Sequence, residues 1–186
     1  MDISVSVEDV LKEVPFDGQI DSYDVKARSG AELTFETILK IRDQINQRSM
    51  DYDGIVILTG TDSMEELSFA LDIMLDVSVP VIVTGAMKPA DMLGYDGISN
   101  CSEALLIASD TASKGKGVLL SMNNTIHQAR YVRKSDSALI GAFTSHPGPI
   151  GEVRCGQVVY YYEALKTTNR NIEINDERLC QVKGPK

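Results

Sequence analysis

The stretch DGIVILTGTDSMEE, residues 53–66, decides how the chain is interpreted. Its apolar run at 54–58 ends abruptly in Thr59-Gly60-Thr61-Asp62, and helix-forming residues follow. A continuous apolar run is typical of a strand that is buried on both faces of a sheet. The stretch therefore predicts a strand, a tight turn that carries two hydroxyls and a carboxylate, and then a helix.

The pattern of strand followed by helix repeats along the chain. Further apolar runs occur at 80–85 and 117–122, and apolar residues with helical spacing occur at 34–48, 62–77 and 97–109. Thr34 is in position to start the first of these helices. Strands that alternate with helices of this length predict βαβ units. We expect an α/β fold: a parallel sheet in a three-layer domain, with helices on both faces and right-handed connections.

The remaining segments predict peripheral structure. Residues 22–25, 138–143 and 157–162 are candidate strands, and the last of these is expected to form a hairpin with 151–153. The polar tail at 167–186 predicts a peripheral strand or a frayed end.

Composition limits the classes of function. The 186 residues suit one domain, 1–186, and the 43% hydrophobic fraction is that of a globular protein. A formal charge of −9 argues against a nucleic-acid-binding face. The N-terminus has neither a basic region nor a long apolar stretch, so we expect a cytoplasmic protein with no membrane contact. Three widely spaced cysteines favour a reducing compartment, and two histidines argue against a His-rich metal site.

The turn after the first run has two interpretations. Asp62 is in position to cap the following helix, with Glu65 completing a capping box. That interpretation leaves Gly60 and Thr61 unexplained, since they place a hydroxyl on a tight strand-to-helix turn. Such a hydroxyl can be presented to a ligand near a helix N-terminus. In an open parallel sheet the three loops that follow the apolar runs share one edge, where ligands bind.

A hydroxyl needs a base before it can act as a nucleophile or activate water. His127 and His146 are expected in loops or turns, where a structural role is the more frequent one. Lysine is the other option, because Ser/Thr–Lys pairs carry out the same chemistry. Lys134 follows the third loop and can fold back toward the site, although most lysines are simply solvated surface charges.

Four sequence blocks together resemble the bacterial L-asparaginase/glutaminase family. The blocks are DGIVILTGTDSMEELSFALDIML (53–75), PVIVTGAMKPADMLGYDGISN (80–100), GKGVLLSMNNTIHQARYVRKSDS (115–137) and GPIGEV (148–153). Their order and spacing match the family over 53–162. Several separate motifs in register are far more specific than a single short motif.

The resemblance implies the larger α/β domain of that family and the hydrolysis of the side-chain amide of asparagine or glutamine, without metal or organic cofactor. It implies that Thr61 is a catalytic threonine, that Lys134 deprotonates or polarises it, and that Asp62 holds the substrate α-ammonium. The backbone of Ala86 is then expected to face the scissile amide. Ser29 is the nearest match for the residue that binds the α-carboxylate, although the local alignment needs an inserted residue.

The sequence also departs from the family pattern. The TGGTI motif that carries the first catalytic threonine does not occur, and the smaller C-terminal domain has no counterpart. Relative to the family, the domain is expected to be truncated at both ends. Thr59 replaces the family His, and Ser63 replaces a Thr. A sheet without its first strand has an open edge, so we expect a homo-oligomer or a complex with a chain that supplies the missing strand.

Two hypotheses follow. In the first, the chain is an amidohydrolase that works with a partner chain or with Thr61 and Lys134 alone. In the second, it is a non-catalytic subunit that binds an amino acid or takes part in assembly. The retention of Thr61, Asp62 and Lys134 together favours the first, and the absence of the first threonine motif favours the second.

Overall fold

Helices and strands alternate along most of the chain, for which the computed structural model describes residues 6–25, 33–164 and 174–181. The helices of these residues are α1 (Val7–Glu13), α2 (Phe35–Arg48), α3 (Met64–Met74), α4 (Gly97–Ser109) and α5 (Asp176–Gln181). The strands are β1 (Ile55–Leu58), β2 (Val81–Thr84), β3 (Val118–Met122), β4 (Thr125–Gln128), β5 (Val132–Lys134), β6 (Phe143–Ser145), β7 (Gly151–Arg154) and β8 (Gln157–Tyr160). Within these ranges, none of the helices combines the length and the hydropathy that a membrane span requires.

The main sheet has six strands in the order β1-β2-β3-β4-β7-β8. The first three strands are parallel, which confirms the three predicted apolar strands and their direction. From β3 onward the neighbours are antiparallel, and of these strands β4 was not predicted. Strands β5 and β6 form a separate antiparallel pair. The α/β class is therefore confirmed, with a sheet that is parallel in its first half only.

Helices cover both faces of the sheet, as predicted. On β2, Val81 and Val83 join the cluster formed with α2 and α3, whereas Ile82 joins the cluster formed with α4. All three side chains are at most 2% exposed. Because side chains alternate across a strand, one continuous apolar run serves two layers of helices.

The two helix starts predicted from the sequence differ in outcome. The Thr34 hydroxyl accepts a hydrogen bond from the backbone N–H of Thr37 at 3.2 Å and caps α2, as expected. The predicted cap of the next helix is wrong, because Ser63 occupies the N-cap position of α3 and residues 61–63 form a 3-10 turn. Asp62 and Glu65 are therefore available for other contacts.

The peripheral predictions are only partly confirmed. Strands β7 and β8 form the expected hairpin. Residues 22–25 have no strand structure, and 138–142 are turn and coil before β6 begins at Phe143. In the tail, 167–173 and 182–186 lie outside the described residues, and α5 stands where a strand or frayed end was expected. A bidentate ion pair from Arg42 to Asp176 holds α5 against α2, with N–O distances of 2.9 and 2.8 Å.

His127 lies in a buried strand, so its predicted loop position is wrong. It belongs to β4 and is 2% exposed. Its two ring nitrogens lie 2.8 Å from the Ser145 hydroxyl and 3.1 Å from the Thr125 hydroxyl. Burial lowers the pKa of His127 to about 4. The polar residues of β4 suggest a loop in the sequence. They are nevertheless buried in a strand, because their side chains have hydrogen-bond partners that the local sequence does not show.

The buried imidazole predicts an acid-sensitive fold. An unfolded histidine titrates near 6.5, whereas folded His127 stays neutral down to about 4. Between these values only the unfolded chain takes up the proton, so stability falls as the pH drops from 6.5 toward 4. The expected loss is on the order of 3 kcal/mol. Urea unfolding between pH 7.5 and pH 4 measures this loss.

The test variant is H127Q, and its matched control is H146Q, since His146 is exposed. H127Q is expected to flatten the pH dependence of the unfolding free energy, and H146Q is expected to leave it unchanged. The same slope in wild type and H127Q would contradict this assignment of the acid sensitivity.

Candidate active site

Three loops lie at one edge of the sheet because β1, β2 and β3 run parallel. The first loop is Thr59–Asp62 and the second begins at Gly85. These two loops approach closely: a Cβ added to Gly85 would lie 2.2 Å from the carbonyl oxygen of Thr59. Only glycine fits at that position without displacing backbone, so the tight packing of the first two loops depends on it.

A compact group of three polar side chains lies at the first loop, two from the loop itself and one from β5. The Lys134 ammonium donates a hydrogen bond to the Thr61 hydroxyl at 2.9 Å and another to Asp62 Oδ1 at 2.9 Å. The Lys134 side chain is only 14% exposed, whereas that of Asp62 is 75% exposed. The lysine therefore lies beneath the site, and the carboxylate faces outward.

Lys134 reaches the first loop from a distant part of the chain. It is the last residue of β5, where it pairs with Phe143 of β6. The chain passes from β3 through β4 and turns at Gln128–Tyr131 before it enters β5. A sequence separation of 73 residues thus becomes a hydrogen bond between side chains.

The second loop is held by two residues at the start of α4. The Asp96 carboxylate accepts hydrogen bonds from the backbone N–H groups of Met87 and Lys88, both at 3.0 Å, and from the Asn100 amide at 2.9 Å. The Asn100 amide also donates to the carbonyl of Gly85 at 2.9 Å. These contacts fix the backbone on both sides of Ala86, which is partly buried.

The third loop is a hairpin turn. Asn123 and Asn124, with φ of 50° and 64°, form the two-residue connection between β3 and β4. The Asn123 N–H donates to Asn100 Oδ1 at 3.1 Å, and the Asn124 amide donates to Glu103 at 2.6 Å. Burial raises the pKa of the Glu103 carboxyl. The third loop is therefore tied to α4.

The structure brings together part of the predicted set of site residues. Thr61, Asp62 and Lys134 are in contact, and Ala86 lies in the neighbouring loop. Ser29 lies outside the described residues. Asp96 and Asn100 were missed. Their only signal was an Asp placed just before a helical pattern, which indicates a helix cap rather than a link between loops.

The family model described as "Asparaginase, N-terminal" matches residues 1–166. The chain belongs to the asparaginase family. Among curated relatives, it is 37% identical to L-asparaginase 2 of Escherichia coli over 123 residues, which is 66% of this chain and 35% of that protein. It is 35% identical to a probable periplasmic L-asparaginase of Haemophilus influenzae, over 80% of this chain and 43% of that one.

Other relatives extend the comparison. A glutaminase-asparaginase of Acinetobacter glutaminasificans is 32% identical over 79% of this chain and 45% of its own length. The crystal structure of a probable cytoplasmic L-asparaginase from Campylobacter jejuni superimposes with a TM-score of 0.86 at 28% identity, covering 95% of this chain and 58% of that one. The chain thus spans less than half the length of these three curated relatives. One of these relatives is named as periplasmic and another as cytoplasmic. The cytoplasmic location of this chain therefore stays a prediction.

Removal of the Asp96 carboxylate is expected to destabilise the fold. Asp96 is 8% exposed, and D96A leaves two backbone N–H groups and one amide without their acceptor. Since an unsatisfied buried group costs about 1–3 kcal/mol, we expect a loss of about 3 kcal/mol in unfolding free energy. Urea denaturation measures it, with D91A, on the exposed part of the loop, as the control. Equal stability of the two variants would show that Asp96 does not hold the loop.

Proposed function

We propose that this chain is the catalytic domain of an amidohydrolase that converts L-asparagine, or L-glutamine, to the corresponding acid and ammonia. The observation that carries the proposal is the hydrogen bond from Lys134 to the Thr61 hydroxyl beside the Asp62 carboxylate. Membership of the asparaginase family and the names of the relatives support the same reaction.

In this proposal, Thr61 and Lys134 perform the proton transfer. Lys134 Nζ lies 2.9 Å from the Thr61 hydroxyl and is the group placed to take up its proton. The Thr61 oxygen then attacks the amide carbon directly, or takes a proton from a water that attacks it. The C–N bond breaks, and the proton passes to the departing nitrogen, which leaves as ammonia. A direct attack leaves an ester on Thr61, which water hydrolyses.

The same residues suit recognition of an amino acid. A zwitterion needs a carboxylate for its ammonium and hydrogen-bond donors for its carboxylate. Asp62 is the proposed partner of the ammonium, since its side chain is 75% exposed at the mouth of the site. Ser29 is the proposed partner of the α-carboxylate, and the backbone at Ala86 is proposed to face the scissile amide. Contacts that strengthen on the tetrahedral oxyanion would accelerate the reaction.

The open edge of the sheet supports a partner strand. In the described ranges, β1 pairs on one side only, and its four residues are all partly exposed although all are apolar. The amides of Ile55 and Thr59 donate to β2-side carbonyls, so those of Val56 and Leu58 point away from the sheet. We infer that a strand from a second copy or from another polypeptide pairs with this edge.

The second hypothesis, a non-catalytic subunit, makes a different experimental prediction. A non-catalytic subunit would bind asparagine through the exposed Asp62 carboxylate without releasing ammonia. An ammonia-release assay with asparagine and glutamine, with and without any co-purifying polypeptide, separates the two. Ammonia release in either preparation supports the amidohydrolase, whereas binding of asparagine without ammonia release in both supports the non-catalytic subunit and overturns the proposal.

Variants of the proton-transfer pair test the mechanism. T61V removes the hydroxyl at nearly constant volume, and K134M removes the amine but retains the alkyl chain. Each is expected to reduce ammonia release by at least about 100-fold, the usual contribution of positioned acid–base groups. The control is K114M, at an exposed lysine outside the site. Wild-type rates in both T61V and K134M, with melting temperatures unchanged, would rule out the Thr61–Lys134 mechanism.

D62A tests recognition separately from stability. Because Asp62 is exposed and does not cap α3, loss of its ion pair with Lys134 is expected to lower the unfolding free energy by at most about 1 kcal/mol. Loss of the charge-assisted contact is expected to weaken asparagine binding by at least about tenfold. Calorimetric titration measures the binding and thermal unfolding measures the stability. Unchanged affinity would remove Asp62 from the recognition site.

A further inference from the structure

We propose that Glu65 is a positioning residue that sets Lys134 against Thr61. Its carboxylate accepts a hydrogen bond from the backbone N–H of Lys134, so helix α3 fixes the main chain from which the lysine side chain extends. The catalytic meaning of this contact rests on the function proposed above, whereas the contact itself is a property of the fold.

The backbone N–H of Lys134 needs a partner outside the sheet. Among the described residues, β5 pairs only with β6, so an N–H on its other side lacks a ladder partner. Glu65 Oε2 supplies that partner from the first turn of α3. A hydrogen bond between an N–H and a charged carboxylate is about twice as strong as a neutral one. The edge of a three-residue strand is thereby tied to a helix.

A second contact joins α3 to the chain just before β5. Asp72, also on α3, forms an ion pair with Arg130, and the two side chains are 9% and 13% exposed. Asp72 also accepts a hydrogen bond from the backbone N–H of Val118 at 2.8 Å. A Cβ at Gly117, where φ is 77°, would lie 2.5 Å from Asp72 Oδ1. This carboxylate is therefore held by two partners, with the space beside it left open by Gly117, and it anchors the chain just before β5.

The two anchors occur in opposite order along α3 and along the segment that it holds. Glu65 and Asp72 are seven residues apart on α3, which is two turns or about 10 Å along one helix face. Their partners Lys134 and Arg130 are four residues apart, and the chain turns at 129–131 before β5 begins. The segment 130–134 therefore lies along α3 in the opposite direction. Thr61 stands one turn before Glu65, so the helix that fixes Lys134 follows directly on the loop that presents its partner.

The alternative is that Glu65 only satisfies a backbone N–H. In that case its loss would lower stability and leave the surviving folded molecules fully active. A positioning role makes a different prediction, because a displaced lysine changes the rate of proton transfer without changing how Asp62 receives the substrate. Two observations distinguish the roles. A positioning role lowers kcat while KM stays nearly unchanged, and an uncharged hydrogen-bond acceptor of the same shape restores the activity.

The kinetic test uses E65A, E65Q and the control E66A, since Glu66 is the exposed neighbour on the same helix. A misplacement of about 1 Å can cost about 100-fold in rate, so we expect E65A to lower kcat at least about tenfold with KM nearly unchanged. E65Q retains an amide oxygen that accepts from the Lys134 N–H, and it is expected to recover most of the activity. E66A is expected to match wild type.

A second measurement does not depend on activity. Limiting acetic anhydride, followed by mass spectrometry, reports how accessible each lysine amine is. Lys134 is expected to react far more slowly than Lys40, since their side chains are 14% and 63% exposed. In E65A its reactivity is expected to approach that of Lys40, whereas in E65Q it is expected to stay low.

The two measurements separate the failure of this inference from the failure of the proposed function. Suppose that the wild-type protein releases no ammonia, and that acetylation of Lys134 increases in E65A but not in E65Q. This result would overturn the amidohydrolase and leave the positioning role intact. Unchanged kcat and unchanged labelling in E65A would overturn the positioning role. The positioning role would also be overturned if E65A and E65Q lost activity to the same extent and had the same decrease in melting temperature, since a purely structural contact gives that result.

Discussion

The contact between Lys134 and Thr61 depends on a three-residue strand being held against helix α3. The two residues are 73 positions apart, and each lies at the end of an element whose direction is fixed by others. Parallel pairing of β1 with β2 sets the position of Thr61, and the Glu65 and Asp72 carboxylates set the position of β5. Without these anchors, a lysine side chain has enough conformational freedom to leave the site.

Carboxylates perform most of the loop fixation around the site. Asp96 holds the second loop, Glu103 holds the hairpin turn after β3, and Glu65 holds the strand that carries Lys134. In each case a carboxylate on a helix accepts hydrogen bonds from backbone or amide N–H groups. The helices therefore determine where these connections lie. This arrangement meets the requirement that a catalytic group be positioned before the substrate arrives.

The sequence predicts the central part of the fold because its signals are local. The apolar runs of β1, β2 and β3 and the Thr34 cap are each visible within a few residues. Strand β4 could not be predicted, since His127 and Gln128 are polar and are buried only through partners far along the chain. The function of Glu65 was assigned to a helix cap for the same reason. Its true partner, the backbone of Lys134, comes from a strand 69 residues away.

A crystal structure of the protein with L-aspartate, the product of asparagine hydrolysis, is the decisive test of the proposed site. The proposed site predicts the α-ammonium of the ligand at the Asp62 carboxylate and the ligand side chain at the Thr61 hydroxyl. It also predicts Lys134 Nζ within hydrogen-bonding distance of Thr61 Oγ1. A ligand bound elsewhere, or a Lys134 side chain turned away from Thr61 in the complex, would contradict it.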